Sequence, residues 1–259
     1  MSIEKTFDIL SEEIIKPWEV YDKVEDEIEN LPEVAVVTFK PEFIDVIKSR
    51  PDIEIITDKL GVSGSDNNVY AVTHKNKRIA VYQTLVGGAG TALRLEMMIA
   101  WGVKKFVLFG SCGVLDKDIA EGNFIIPTAA YRDEGTSYHY AAASDYIECK
   151  TADKLSDIMT QLKLPHIKGR TWTTDGFFRE TRNNMQKRKA EGCIAVDMEC
   201  ASVMAAGQFR GVDVYQYLYA ADNLDAAEWE MRTLSTEAEA PLSENEKLML
   251  IALDIAVVV

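Results

Sequence analysis

The sequence predicts an α/β fold built on a mixed sheet. Three observations carry this: short apolar runs recur along the 259 residues, segments with helical spacing separate them, and turn residues mark the boundaries. Hydrophobic residues make up 47% of the chain, enough for a sizeable core. Gly and Pro number only 15 and 7, and neither a repeat period nor a biased stretch is present, so one domain over 1–259 is the simpler division. The residues up to Glu33, with an acidic helical pattern over 21–30, form an extension of uncertain packing ahead of the first strand.

Val34 to Thr38 is a continuous apolar run, the mark of a strand covered on both faces. Val69 to Thr73 and Ile79 to Thr84 flank the polar turn His74 to Arg78 and read as a hairpin. A turn at Gly87-Gly88-Ala89-Gly90 leads into a helix over Thr91 to Trp101. The strand Lys105 to Phe109 then delivers a second turn, Gly110-Ser111-Cys112-Gly113. Short strands are expected around Phe124 and Ala129, a helix over Ala152 to Leu162, a strand from Ile167 to Thr173 and a helix near Arg179 to Ala190. A strand Cys193 to Asp197, a helix Ala201 to Phe209 and a strand Val212 to Ala220 follow, and a terminal helix starts near a Ser243 cap. Its apolar stretch LMLIALDIAVVV, 12 residues including Asp254, is too short to span a bilayer.

Acidic residues outnumber basic ones 42 to 28, for a net charge of −14, so nucleic acid and anionic membrane surfaces are excluded as partners by long-range repulsion. Cys112, Cys149, Cys193 and Cys200 have neither CxxC nor framework spacing, and the N-terminal MSIEKTFDIL lacks a signal pattern; reduced thiols in a cytoplasmic protein are expected. No cluster of His, Cys, Asp and Glu has ligand spacing, so neither a metal nor a resident cofactor is expected.

In α/β sheets ligands sit at the carboxyl ends of strands, and five strand ends here combine small and polar residues. The Gly87 to Gly90 turn suits either a tight turn or an anion held by backbone N–H groups, but Leu93 at the third glycine position excludes a dinucleotide fingerprint. Gly110 and Gly113 allow close backbone approach to a ligand, and Ser111 can donate to an oxygen anion. None of the three histidines lies in a recognisable nucleophile motif, so Cys112 reads as a buried structural thiol. In AVDMECAS, Asp197, Met198 and Glu199 open a helix; capping is one use. A carboxylate accepting both hydroxyls of a vicinal diol is the other. Asp222, after the apolar run Val214 to Ala221, is either an N-cap or a partly desolvated acid able to donate a proton. Phe177 and Phe178 offer a stacking face or core packing.

Taken together, GVKKFVLFGSCGVL, IIPTAAYRDEGTSYHY, TWTTDGFFRET, AVDMECAS and AADNL, in this order and spacing across Asn68 to Trp229, resemble the nucleoside phosphorylase family that includes uridine phosphorylase and hexameric purine nucleoside phosphorylase. The resemblance implies a three-layer α/β/α domain with a mixed central sheet, homo-oligomers (dimers or hexamers) with sites that borrow residues from a neighbour, and cleavage of an N-glycosidic bond by phosphate as co-substrate. It implies that Met198 and Glu199 bind the ribose, Phe177 stacks on the base, Ser111 and Gly110 serve the phosphate, and Asp222 protonates or hydrogen-bonds the imidazole nitrogen of a purine.

Three positions depart from the family pattern. Where its phosphate-binding arginines are expected, this chain has Phe43, Thr57 and Leu108. Three lost charge-assisted hydrogen bonds at about 1.5–3 kcal/mol each would weaken phosphate capture by about 10³- to 10⁶-fold. Lys40, Lys59 and Arg94 are the candidates to compensate. The leading expectation is a purine nucleoside phosphorylase. The alternatives are a hydrolase in which Leu108 and Phe43 make the phosphate pocket apolar, a uridine phosphorylase using Arg179 at the base edge, and a nucleoside-binding protein without turnover.

Overall fold

The computed structural model describes residues 7–21, 28, 30–61, 66–119, 123–226, 230–231 and 243–259, so the acidic pattern over 21–30 lies mostly outside the described residues. A short helix α1 (Pro17–Tyr21) precedes β1 (Val34–Thr38), α2 (Pro41–Lys48), β2 (Glu54–Thr57), β3 (Val69–His74), β4 (Lys77–Gln83) and α3 (Gly88–Ala100). Next come β5 (Lys105–Val114), β6 (Phe124–Asp133), β7 (Tyr146–Glu148), α4 (Ala152–Gln161), β8 (His166–Thr174), α5 (Arg182–Ala190) and β9 (Cys193–Asp197). The chain continues through α6 (Cys200–Arg210), β10 (Asp213–Asn223), β11 (Glu230–Met231) and α7 (Glu244–Val258).

The strands form one mixed sheet in the order β11-β10-β6-β8-β9-β5-β1-β4-β3-β2, with β7 on β6. β5 also pairs in parallel with β10, which closes a ring of five strands, β5-β9-β8-β6-β10, from which β1, β4, β3 and β2 extend. Helices flank this sheet, α3 packing on α6 and α2 on α7. β1 shows why a continuous apolar run predicts an interior strand: all five of its residues are buried between β4 and β5. Each fully buried valine there contributes about 1.5–3 kcal/mol of hydrophobic stabilisation. The β3–β4 hairpin turns at Lys75 and Asn76, both with positive φ (48° and 65°), the backbone that a tight two-residue turn requires. At α7, Ser243 Oγ accepts from Glu246 N (3.3 Å) while Glu246 Oε2 accepts from Ser243 N (2.7 Å), a complete capping box. Among the described residues no helix is long and apolar enough to cross a membrane.

The helix expected from Thr91 begins at Gly88, so only Gly87 of the expected Gly87–Gly90 turn lies outside it. Four further boundaries differ from expectation, each through pairing or packing that spacing does not reveal. Gly110 to Gly113 is not a turn. It continues β5 to Val114, because β10 pairs along one side and β9 meets Gly113 and Val114 on the other. The two short strands near Phe124 and Ala129 are one strand, β6, whose Pro127 is accommodated at a register shift against β8. β10 likewise passes a bulge between Ala220 and Asp222 and runs to Asn223, so Asp222 lies within a strand rather than beyond it. The segment Phe177–Arg179 is a 3₁₀ turn, and α5 begins only at Arg182, capped by Thr181.

Candidate active site

One cleft of about 520 Å³ opens along the ends of β1, β5, β9 and β10. Its lining brings together Gly110, Ser111, Phe177, Met198, Glu199 and Asp222, the six residues singled out in the sequence. The volume falls within the range usual for small-molecule sites.

Asp222 is held at this cleft by the β10 bulge, opposite Gly113 in the register. A Cβ at Gly113 would stand 2.5 Å from Leu224 Cδ1, 2.9 Å from Val196 Cγ1 and 3.1 Å from Asp222 Oδ1, so the glycine is there to admit these three side chains rather than to turn the chain. Replacing Gly113 with alanine is expected to cost about 1–3 kcal/mol through overpacking. It should also shift Asp222, lowering turnover more than the loss of stability explains; a thermal melt read beside the kinetics separates the two. Cys112, between these glycines, is buried, and its burial together with the charges of Asp197 and Asp222 pushes the thiol well above its usual range. It is a packing residue and not a nucleophile.

Glu199 sits at the start of α6, where one carboxylate oxygen accepts a 2.7 Å hydrogen bond from the Gly87 backbone N–H. The Gly87 turn, φ 96°, thus offers its N–H to an acceptor, and that acceptor is this protein's own Glu199 side chain. Burial foremost, with the Asp197 charge adding to it, pushes Glu199 up to about 8, while the Gly87 N–H works in the opposite direction. Hydroxyl groups donated by a ligand favour its ionised form. Behind Glu199, buried Asp197 accepts from Thr171 Oγ1 (2.6 Å), Thr173 Oγ1 (3.1 Å) and the backbone N–H groups of Glu199 (2.8 Å) and Cys200 (2.7 Å). It fixes the first turn of α6, and with it the position of Glu199.

Phe177 is half-exposed at the cleft wall and meets Phe178 edge to face at 4.9 Å; neither ring packs into the core. Arg179 is exposed and does not line the cleft, which removes the one residue that favoured a pyrimidine edge.

The opposite end is where the arginine replacements matter. Phe43 lines the cleft and packs edge to face on Phe109 at 4.8 Å, and the Phe39 ring lies 3.0 Å from where a Cβ of Gly110 would be. Leu108, expected to make this pocket apolar, instead points into the core at 1% exposure and takes no part in the lining. Thr57 is also buried and outside it, its hydroxyl accepting from Lys59 N. Of the compensating cations, Arg94 is fully buried and spends its guanidinium on the carbonyls of Asp66 and Gln83 and on Asn67, and Lys59 lies outside the lining. Only Lys40 reaches the cleft, its ammonium 5.6 Å from the Tyr219 ring centre. Ser111 and Tyr219, register partners on β5 and β10, both line the cleft with it.

Sequence reasoning missed Glu180 and Glu244. With Asp197, Glu199 and Asp222 they make five carboxyl groups in the lining against the single ammonium of Lys40. Burial raises both: Glu244 is held back by Lys40 and Lys247, whereas Glu180, facing the charges of Asp222 and Asp197, is pushed up to about 7. Neither follows an apolar strand, so nothing in the local sequence marks them.

A family model described as the phosphorylase superfamily matches residues 33–253. Purine nucleoside phosphorylases of the DeoD type from Bacillus thuringiensis and Bacillus mycoides are 28% identical over 189 residues, covering 71% of this chain and 78% of theirs. Among solved structures, purine nucleoside phosphorylase from Toxoplasma gondii, in complex with immucillin-H, superposes with a TM-score of 0.69 at 18% identity, over 90% of this chain and 91% of that one. The fold is shared with that enzyme.

Proposed function

The chain belongs to the phosphorylase superfamily, and from that premise we propose that it cleaves the N-glycosidic bond of purine nucleosides, with phosphate as the attacking group. The observation that carries this reading is the convergence of Ser111, Phe177, Met198, Glu199 and Asp222 from distant parts of the chain on one cleft.

As the bond from C1′ to the base nitrogen stretches, positive charge grows on the sugar and negative charge on the base, so the site needs an acid near the base and an anion near C1′. Asp222 gives its proton, or a strong hydrogen bond, to N7 of the departing purine. Phe177 covers one face of the base, while Glu199 and Met198 hold the ribose. A phosphate oxygen then bonds to C1′, the base leaves with the electron pair of the broken bond, and ribose 1-phosphate remains. Ser111, the backbone at Gly110 and Lys40 are the groups available to hold the phosphate.

A second reading, attack by water, is favoured by one feature: the anion end holds Phe39, Phe43, Phe109 and Glu244 against the single charge of Lys40. Base release measured with and without inorganic phosphate, with the sugar product followed by ³¹P NMR, decides between them. Release that requires phosphate and yields a sugar phosphate supports phosphorolysis. Equal release without phosphate, yielding free ribose, overturns phosphate as the nucleophile.

A further inference from the structure

Glu180 has no part in the chemistry above, yet it lines the same cleft as Phe177 and Asp222. It reaches that position from the residue after the 3₁₀ turn Phe177–Arg179, so the turn that presents the stacking ring also presents a carboxyl group. Glu180 continues into a smaller adjoining pocket with Arg182 and Leu224, and the charged groups it faces across the cleft are Asp222 from β10 and Asp197 from β9. Burial and these two charges push it up to about 7. Glu180 and Asp222 therefore bring two carboxyl groups, from different elements, to one cleft beside the stacking ring.

With Asp222 addressing N7 as described above, the Glu180 carboxyl group offers an acceptor beside it. The N7 edge of a purine presents two adjacent groups: N7, an acceptor, and the substituent on C6, a donor when it is an amino group and an acceptor when it is a carbonyl. A 6-amino group can donate to the Glu180 carboxylate. A 6-oxo group would set one acceptor against another.

We propose that Glu180 is a specificity-determining residue, reading the C6 substituent of the base while Asp222 addresses N7, and that 6-aminopurine nucleosides are the preferred substrates. This rests on the cleavage reading given above. A buried polar group left without its partner is a strong discriminator.

The test compares kcat/KM for adenosine and inosine in the wild type and in Glu180→Gln. Both substrates are measured on one preparation, so partial misfolding of the variant cancels from the ratio. The wild type is expected to favour adenosine by about tenfold or more. The glutamine amide both donates and accepts, so the ratio in Glu180→Gln should fall to within about threefold, mainly by a gain on inosine. Equal use of the two nucleosides by the wild type, or an unchanged ratio in Glu180→Gln, overturns the role of Glu180 and leaves the cleavage reading standing. Release of base from no purine nucleoside overturns both.

Discussion

Replacing Asp222 with asparagine is expected to lower kcat for purine nucleoside cleavage by about 10²- to 10⁴-fold, the range of general acid catalysis. The amide can still donate a hydrogen bond to N7, so KM should change far less than kcat; what it cannot do is transfer a proton as the base leaves. The fold should tolerate the change, because the β10 bulge and the space above Gly113 that seat this side chain are independent of its charge. Steady-state kinetics on adenosine read the effect. A loss smaller than tenfold would mean that the base departs without help from Asp222, and would move the acid role elsewhere in the cleft.

Asp197→Ala should give the largest loss of stability, on the order of 3–5 kcal/mol in a denaturant titration. Four donors lose this acceptor at once: the hydroxyls of Thr171 and Thr173 and the backbone N–H groups of Glu199 and Cys200 at the start of α6. Two of those donors are backbone groups with no alternative partner inside the helix. The variant that remains folded should also show a raised KM, since α6 then starts without its anchor and Glu199 moves with it. A cost below about 1 kcal/mol would show that Asp197 is dispensable to the architecture.

Much of this arrangement is legible in the chain itself. β1 and β9 begin and end where their apolar runs do, and the Ser243 cap starts α7, because local composition and local structure agree there. The strand-end rule was enough to gather Ser111, Phe177, Glu199 and Asp222 before any geometry was known. What spacing could not convey was anything decided by a distant partner. Gly110 and Gly113 look like turn residues, but their small size serves the Phe39 ring just past β1 and the Leu224, Val196 and Asp222 side chains, which arrive from segments far away in sequence. Asp222 reads as lying beyond a strand because the pairing that carries β10 past its bulge comes from β5.

The charged residues divide in the same way. Arg94 looks like a spare cation for phosphate, yet it is buried against carbonyl groups brought by other segments. Leu108 marks an absent arginine but belongs to the core, so the apolar character of the anion end comes from Phe43 and Phe109 instead. Glu180 and Glu244 join the cleft from a turn and a helix start with no periodic pattern to announce them.

The most direct test of the central claim is chromatographic detection of free adenine when the full-length protein is incubated with adenosine and phosphate at neutral pH. Stoichiometric release of adenine, abolished or nearly so in Asp222→Asn, is the predicted result. Adenosine recovered intact at enzyme concentrations comparable to the substrate would contradict glycosidic cleavage at this cleft.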